Sequence, residues 1–405
     1  MTGEGVLIVG AGQAACHLAG FLRDEGYGGP IRLLGAEPHL PYQRPPLSKA
    51  YLGASCEAEA LTFHGSDHYA ERGIELMLST EAARVDRAER TVVTSGGERY
   101  PYGHLVFATG ARNRPPVVDA PGVLGLRTLD DATLLREKLA LARNVVVVGA
   151  GFLGLEFAAV AAARGVGVTV VEAAGSLMAR AVSPVVGEAF RDHHEKAGTV
   201  FRLGSTMDSV VPLPGGGCRV TAGRERFDAD LVVSSIGVVP NVELARDAGL
   251  PVQGGIVVDE WLRTEDPAIS AIGDCAAFER PSGAGRGRIE SVQNAMDQAR
   301  YVARRIAGRD DAYAAVPWFW SDQGGLKLQI AGLAAETDQT VVRGDVGGRR
   351  FSAFRFRAGE LTAVESVARP ADHMTARRLF AAGARVTAAQ AGDEGFDLKA
   401  LPATV

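Results

Sequence analysis

NVVVVGAGFLGLE, residues 144–156, is an apolar run that breaks at Gly149-Ala150-Gly151 and resumes through Gly154. The valines have the texture of a parallel strand buried on both faces. The glycine spacing is that of the turn from such a strand into a helix. A related stretch, VLIVGAGQAA at residues 6–15, carries Gly10 and Gly12, with Ala15 where a third glycine often stands. At the first glycine the turn is too tight for a side chain. The second has no Cβ, so a pyrophosphate can approach the main chain, and the helix that follows aims free N–H groups at it. A carboxylate at the tip of the next strand accepts from ribose hydroxyls. Glu37 follows IRLLGA and Glu172 follows VTVV in those places. Two such units imply two dinucleotides held by one chain, and electron transfer between them.

Working outward, 405 residues predict two or three domains. A hydrophobic content of 46%, 22% charged residues and 50 glycines suit many strand–turn–helix units. A net charge of −5 gives no reason to expect nucleic-acid binding. No apolar run reaches the ~18 residues of a membrane span. The apolar N-terminal stretch has no basic residue ahead of it and reads as strand plus helix, so a cytoplasmic protein is expected. The four cysteines, Cys16, Cys56, Cys218 and Cys275, form no C-x-x-C or C-x4-C pair. Neither a redox disulfide nor a metal site is expected, and Cys16 and Cys275 read as inert thiols.

The proline-rich stretch PHLPYQRPPLSKAYL opens an irregular region over 38–80, and a strand pair near Val85–Val93 leads to LVFATGA. A second strand–helix–strand unit begins at Val145, and its domain closes near LVVSSIGVVPN. ISAIGDCA is a strand ending at Gly273-Asp274, and a helix follows Ser291. From Pro317 the alternation in LKLQIAG, QTVVRG and RRFSAFRFRAGELTAVESV predicts an antiparallel sheet with a closing helix around 372–382. His193-His194 reads as a solvated pair on a helix.

With these segments in place, the chain resembles the pyridine-nucleotide–disulfide-reductase-like flavoproteins, and among them the oxygenase-coupled NADH:ferredoxin reductases. The resemblance rests on GAGQAA, PYQRPPLSK, ATGAR, LRTLDDA, GAGFLGLEFA, VTVVE, GVVPN, AIGDCA, SVQNAMDQA and PWFWSDQ, in that order along the whole chain. It implies an α/β fold of two Rossmann-like dinucleotide-binding domains, glutathione-reductase-like, plus a smaller α+β C-terminal domain. The expected boundaries are 1–111 and 238–316 for an FAD domain, 112–237 for an inserted NAD domain, and 317–405 for the C-terminal domain.

The resemblance also implies site residues. For FAD these are Gly10, Gly12, Ala14, Ala15, Glu37, Arg44, Lys49, Ala82, Thr109, Gly110, Arg127, Asp274 and Val292, the last at a helix N-terminus suited to the anion of a reduced flavin. For NAD they are Gly149, Gly151, Phe152, Leu153, Gly154, Glu156, Glu172, Arg180 and Gly237. Lys49, Glu156, Phe152 and Trp320 are the expected catalytic residues, with a Lys49–Glu156 pair bracketing hydride transfer. Phe152 is expected over the flavin ring, and Trp320 near it on the acceptor side. The charge of Glu172 would repel a 2′-phosphate, so NADH is expected over NADPH.

The implied activity is an FAD-dependent ferredoxin reductase. It passes electrons from NADH singly to a small iron–sulfur ferredoxin of the 2Fe–2S type that feeds a monooxygenase or ring-hydroxylating dioxygenase. A monomer or weak homodimer is expected. Arg304, Arg305, Arg349, Arg350, Arg355 and Arg357 are the expected docking cations for an acidic partner. Two other readings remain open on the sequence: an NADH oxidase or peroxidase, for which Cys56 alone lies near the right region, and an NADH-responsive binding flavoprotein resembling apoptosis-inducing factor.

Overall fold

Strand Val6–Val9 is buried at all four residues and lies at the centre of a five-stranded parallel sheet. The order is Ile269–Ala271, His104–Phe107, Val6–Val9, Ile31–Leu34, Ile74–Met77. The last strand arises from the stretch expected to be irregular. Its IELM buries only Ile74 fully, too brief a pattern to stand out as a strand. The computed structural model describes residues 5–118, 120, 122–280, 285–309, 311–335 and 338–401.

This sheet belongs to the first of two units into which the chain divides: Met1–Gln43, Glu59–Arg112 and Val239–Pro317. Helix Gln13–Asp24 buries Ala14, Ala15, Leu18, Ala19 and Leu22, one stripe at helical spacing. It packs on helix Val292–Ile306, which offers Ala295, Ala299 and Ala303 in return. Small residues on both sides let the two helices approach closely.

The second unit is Arg44–Ala58, Asn113–Val238 and Trp318–Val405. Its parallel sheet runs Val200–Leu203, Gly167–Glu172, Asn144–Val148, Leu231–Ser234, Val123–Leu124. LRTLDDA has a local role here. Thr128 Oγ accepts from Asp131 N at 3.1 Å while the Asp131 carboxylate accepts from Thr128 N at 3.0 Å, a capping box that starts helix Leu129–Leu141.

The C-terminal part of this unit is an antiparallel sheet in the order Trp318–Gln323, Leu326–Gly332, Glu360–Val367, Arg350–Arg357, Gln339–Asp345. Helix Pro370–Ala381 packs on two of its strands. Gly324 and Gly325 both take positive φ, +59° and +83°, as a two-residue hairpin turn of the mirror type demands.

The arginines expected to dock a partner are mostly committed inside their own units. Arg355 is 2% exposed and bonds Glu365 at 2.7 Å and the Ala335 carbonyl at 2.9 Å. Its strand is buried on both faces from Phe351 to Phe356, so alternation along it does not expose alternate residues. Arg357 pairs with Asp338, and Arg349 donates to His193. In the first unit Arg304 pairs with Asp311 and Arg305 bonds Ser270. Of the set, only Arg350 is an exposed residue with no ion pair among the described residues.

Candidate functional site

In the second unit the glycine turn of residues 149–154 has each glycine for a different reason. Gly149 takes φ +101°, and a Cβ there would stand 2.4 Å from the Ser235 carbonyl oxygen. At Gly154 a Cβ would meet the Gly149 oxygen at 2.3 Å, so the helix can sit this close to the turn only on a glycine. At Gly151, the N-cap of helix Phe152–Ala163, a Cβ would project into open space. There, close approach of a ligand to the backbone is the remaining reason for glycine. Glu172 ends its strand, and its carboxylate accepts from Ala150 N at 2.6 Å and Ala174 N at 2.7 Å. The acid is thereby fixed against the glycine turn, with lone pairs left for a ribose. Arg180 is exposed; a Cβ on Gly237 (φ +98°) would lie 3.9 Å from its Nη2. Phe152 and Leu153 open the helix, both half-buried.

One turn into that helix, Glu156 is 5% exposed and accepts three side-chain donors. Lys49 Nζ and Ser48 Oγ each lie 2.6 Å from Oε2, and Ser321 Oγ lies 2.6 Å from Oε1. Lys49 also donates to the Pro45 carbonyl at 3.2 Å. Removing either member of a pair this buried typically costs ~3–5 kcal/mol, because the other charge is left uncompensated.

The prolines explain how the lysine is delivered. Pro45 and Pro46 set the φ of a 3-10 turn, Pro45–Ser48, whose Leu47 is buried. Lys49 N and Tyr51 N both donate to the Pro46 carbonyl, closing the turn. Tyr51 Oη bonds Thr133 at 2.8 Å, and Arg44 donates to the Arg127 carbonyl at 2.6 Å, tying the loop to helix Leu129–Leu141 and its approach.

Helix and strand periodicities meet at this point. Phe152 and Glu156 are four apart on the helix, and Phe319 and Ser321 are two apart on the strand. Phe152 packs against Phe319 with the rings tilted by 45° and their centroids 4.6 Å apart, as Glu156 bonds Ser321. Trp320 falls on the opposite face of the strand, its ring 5.5 Å from Trp318.

Four residues of this cluster were not singled out in the sequence: Ser48, Phe319, Ser321 and Gln323. Each lies inside a quoted motif, and alternation with Phe319 was the available signal for Ser321 and Gln323. His194 corrects an expectation. It is 1% exposed and hydrogen-bonded to Gln323, not solvated, because helix Pro184–Lys196 turns that side inward with Phe190.

In the first unit Gly10 takes φ +117°, and a Cβ would stand 2.2 Å from the Ala108 carbonyl oxygen. Gly12 caps its helix facing open space, as Gly151 does. Ala14 and Ala15 are buried. Glu37 accepts from Tyr42 Oη at 2.6 Å. Thr109 Oγ1 donates to the Asn241 carbonyl at 2.6 Å, and Asn241 N bonds the Gly110 carbonyl at 3.0 Å, so GVVPN braces ATGAR. Asp274 stands in a 3-10 turn whose Gly273 N donates to Gln298 at 2.7 Å. Val292 is the first residue of a helix capped by Ser291, and Ala82 opens the strand Ala82–Asp86. The open cradles at Gly12 and Gly151, each at a helix N-terminus, fit dinucleotide pyrophosphates. Arg44, Lys49 and Arg127 belong to the second unit.

No disulfide is formed: all four cysteines are free thiols. Burial pushes Cys16 up to about 11 and raises Cys275 as well, leaving both poor nucleophiles. Among the described residues no group of three or more His, Cys, Asp or Glu could hold a metal ion, and no helix is long and apolar enough to cross a membrane.

Residues 4–299 match the family model for pyridine nucleotide-disulphide oxidoreductases, and residues 318–402 match that of the reductase C-terminal domain. The rhodocoxin reductase of Rhodococcus erythropolis is 46% identical over 97% of this chain and 93% of its own length. A ferredoxin reductase from Rhodopseudomonas palustris superimposes with a TM-score of 0.95 at 47% identity, over 98% of this chain and 99% of the other. A putidaredoxin reductase, crystallised in covalent complex with putidaredoxin, gives a TM-score of 0.94 at 36% identity, covering 98% and 97%. Such relatives imply a flavin cofactor and a nicotinamide nucleotide. The chain is therefore an oxidoreductase of the pyridine nucleotide-disulphide oxidoreductase family, of the type that includes the rhodocoxin and putidaredoxin reductases.

Proposed function

We propose that this protein oxidises NADH and delivers the electrons one at a time to a small 2Fe–2S ferredoxin serving a monooxygenase or ring-hydroxylating dioxygenase. The observation that carries the reading is the buried Lys49–Glu156 pair beside a glycine turn in a chain without a disulfide. FAD, when bound, would supply the conversion of a two-electron donor into single electrons. Gly10, Gly12, Ala14 and Ala15 would hold its pyrophosphate and Glu37 its ribose, with Arg44, Lys49, Ala82, Thr109, Gly110, Arg127, Asp274 and Val292 completing its site.

Gly149, Gly151, Leu153 and Gly154 would cradle NADH, with Arg180 and Gly237 beside them and Glu172 on the free 2′-hydroxyl. Phe152, resting on Phe319 here, would yield its place to the nicotinamide. Lys49 and Glu156 would hold a fixed dipole at the nucleotide, and Trp320 would stand toward the acceptor. The FAD domain would comprise 1–111 and 238–316, the NAD domain 112–237, and the acceptor side 317–405, in a cytoplasmic monomer or weak dimer.

The deciding experiment is anaerobic mixing with NADH, followed by cytochrome c reduction with and without added ferredoxins of the 2Fe–2S, 3Fe–4S and Rieske types. Rapid flavin bleaching with cytochrome c reduction that depends on a 2Fe–2S ferredoxin is expected. Turnover to oxygen alone, independent of ferredoxin, would replace this reading with an oxidase.

A further inference from the structure

Glu156 is reached from the side opposite Lys49 by a line of hydrogen bonds that begins on helix Pro184–Lys196. Gln323 Nε2 lies 3.2 Å from Ser321 Oγ and 3.5 Å from the Met178 thioether. A thioether only accepts, so the NH2 end of the amide faces Met178 and Ser321. The oxygen end then faces His194, whose Nε2 lies 3.0 Å from Gln323 Oε1 and must carry the ring proton. Since Gln323 donates to Ser321, the single hydroxyl proton of Ser321 is free to point at Glu156, 2.6 Å away. Every donor in the line runs the same way, from His194 to Glu156.

The line is dry. His194 is 1% exposed, and Gln323 and Ser321 are 0% exposed, so no solvent offers the serine a competing partner. Burial holds the His194 pKa below its ordinary value, which keeps the ring neutral and its single N–H in place. Each donor polarises the next in such a low-dielectric setting.

We propose that His194 and Gln323 are positioning residues for the Lys49–Glu156 pair: they set the direction of the Ser321 hydroxyl and so hold Glu156 as a hydrogen-bonded carboxylate facing Lys49. The inference rests on the role proposed above for Lys49 and Glu156. Its structural content can be tested without that role. Without its His194 donor the Gln323 amide can turn its oxygen toward Ser321, giving the hydroxyl proton a second acceptor; weakening its bond to Glu156 disfavours the ionised carboxylate.

His194→Phe fills the ring volume without a donor, whereas His194→Gln can place an amide N–H where Nε2–H stands. Glu156 is followed by carbon-13 carboxyl NMR, its resonance assigned by its loss in Glu156→Gln. His194→Phe is expected to raise the Glu156 titration midpoint by about one pH unit, the consequence of one lost charge-assisted hydrogen bond. It is also expected to slow flavin reduction by NADH roughly tenfold at unchanged KM. His194→Gln is expected to restore both. Gln323→Met leaves the Ser321 hydroxyl no acceptor but Glu156 and is expected to keep the parent midpoint; His194→Leu, which also lacks a donor, serves in place of His194→Phe if that variant does not fold.

An unshifted Glu156 in His194→Phe overturns the proposal, as does a shift that His194→Gln leaves uncorrected or that Gln323→Met shows as well. The titration is read without added nucleotide. If NADH fails to reduce the flavin of the parent protein, the functional reading falls while the positioning line is still judged by the carboxyl shift.

Discussion

Lys49 and Glu156 are 107 positions apart in the chain and 2.6 Å apart in the structure. The lysine arrives on a proline-stiffened turn, and the glutamate comes from the second turn of the helix that a dinucleotide fingerprint opens. Charge balance at this point therefore ties the loop to that helix.

Replacing Lys49 by methionine removes the only cation at Glu156 among the described residues and leaves Ser48 and Ser321 as its donors. Flavin reduction in stopped flow is expected to slow by roughly ten- to a hundredfold. Stability should fall as well, by the lower part of the ~3–5 kcal/mol range and read as a lower melting temperature, because a quarter of the lysine side chain remains in solvent. An unchanged reduction rate would remove Lys49 from the mechanism.

The NADH preference proposed above rests on Glu172. Steady-state assays on the parent are expected to give a kcat/KM for NADH at least about tenfold above that for NADPH, the cost of setting a carboxylate against a phosphate. Glu172→Gln keeps one acceptor for the glycine turn while removing the charge, and it should narrow that ratio. Equal efficiency of the two nucleotides in the parent protein would defeat the assignment.

Arg355 should behave as a core residue and not as a docking cation. With Ser183 N at 2.8 Å on one oxygen of Glu365 and Arg355 at 2.7 Å on the other, Arg355→Leu leaves a buried acid short of its counter-charge. A loss of about 3 kcal/mol in chemical denaturation is expected. Arg350→Ala, at an exposed position, should stay within about 0.5 kcal/mol. The reverse ranking would contradict the burial described.

His373 gives the protein an acid-sensitive element. It is 1% exposed, neither ring nitrogen has a partner among the described residues, and its ring meets Trp318 at 5.5 Å. Burial, with the nearby Arg377 charge, lowers its pKa from 6.5 to about 4. Between these values the unfolded chain binds the proton and the folded chain does not, so stability declines as pH falls from 6.5 toward about 4 and this contribution levels off below. Denaturation midpoints measured across that window should decline less steeply in His373→Phe than in the parent.

Much of this was legible in the chain. The apolar run, the glycine spacing and the terminal acid of residues 144–172 are local requirements of a strand–turn–helix–strand unit, and each residue type there answers a constraint within a few positions of itself. The same holds for the capped helix at Ser291 and for the paired glycines at 324–325. The tertiary structure alone decided which side chains join Lys49 around Glu156 and which stand behind them. Ser48, Ser321 and His194 come from three distant segments, and nothing local to serine or histidine says whether it faces water or a carboxylate. Arg355 was misjudged for the same reason. Alternation along a strand tells two faces apart but not which of them the fold will cover, because burial is conferred by neighbours that the strand does not encode.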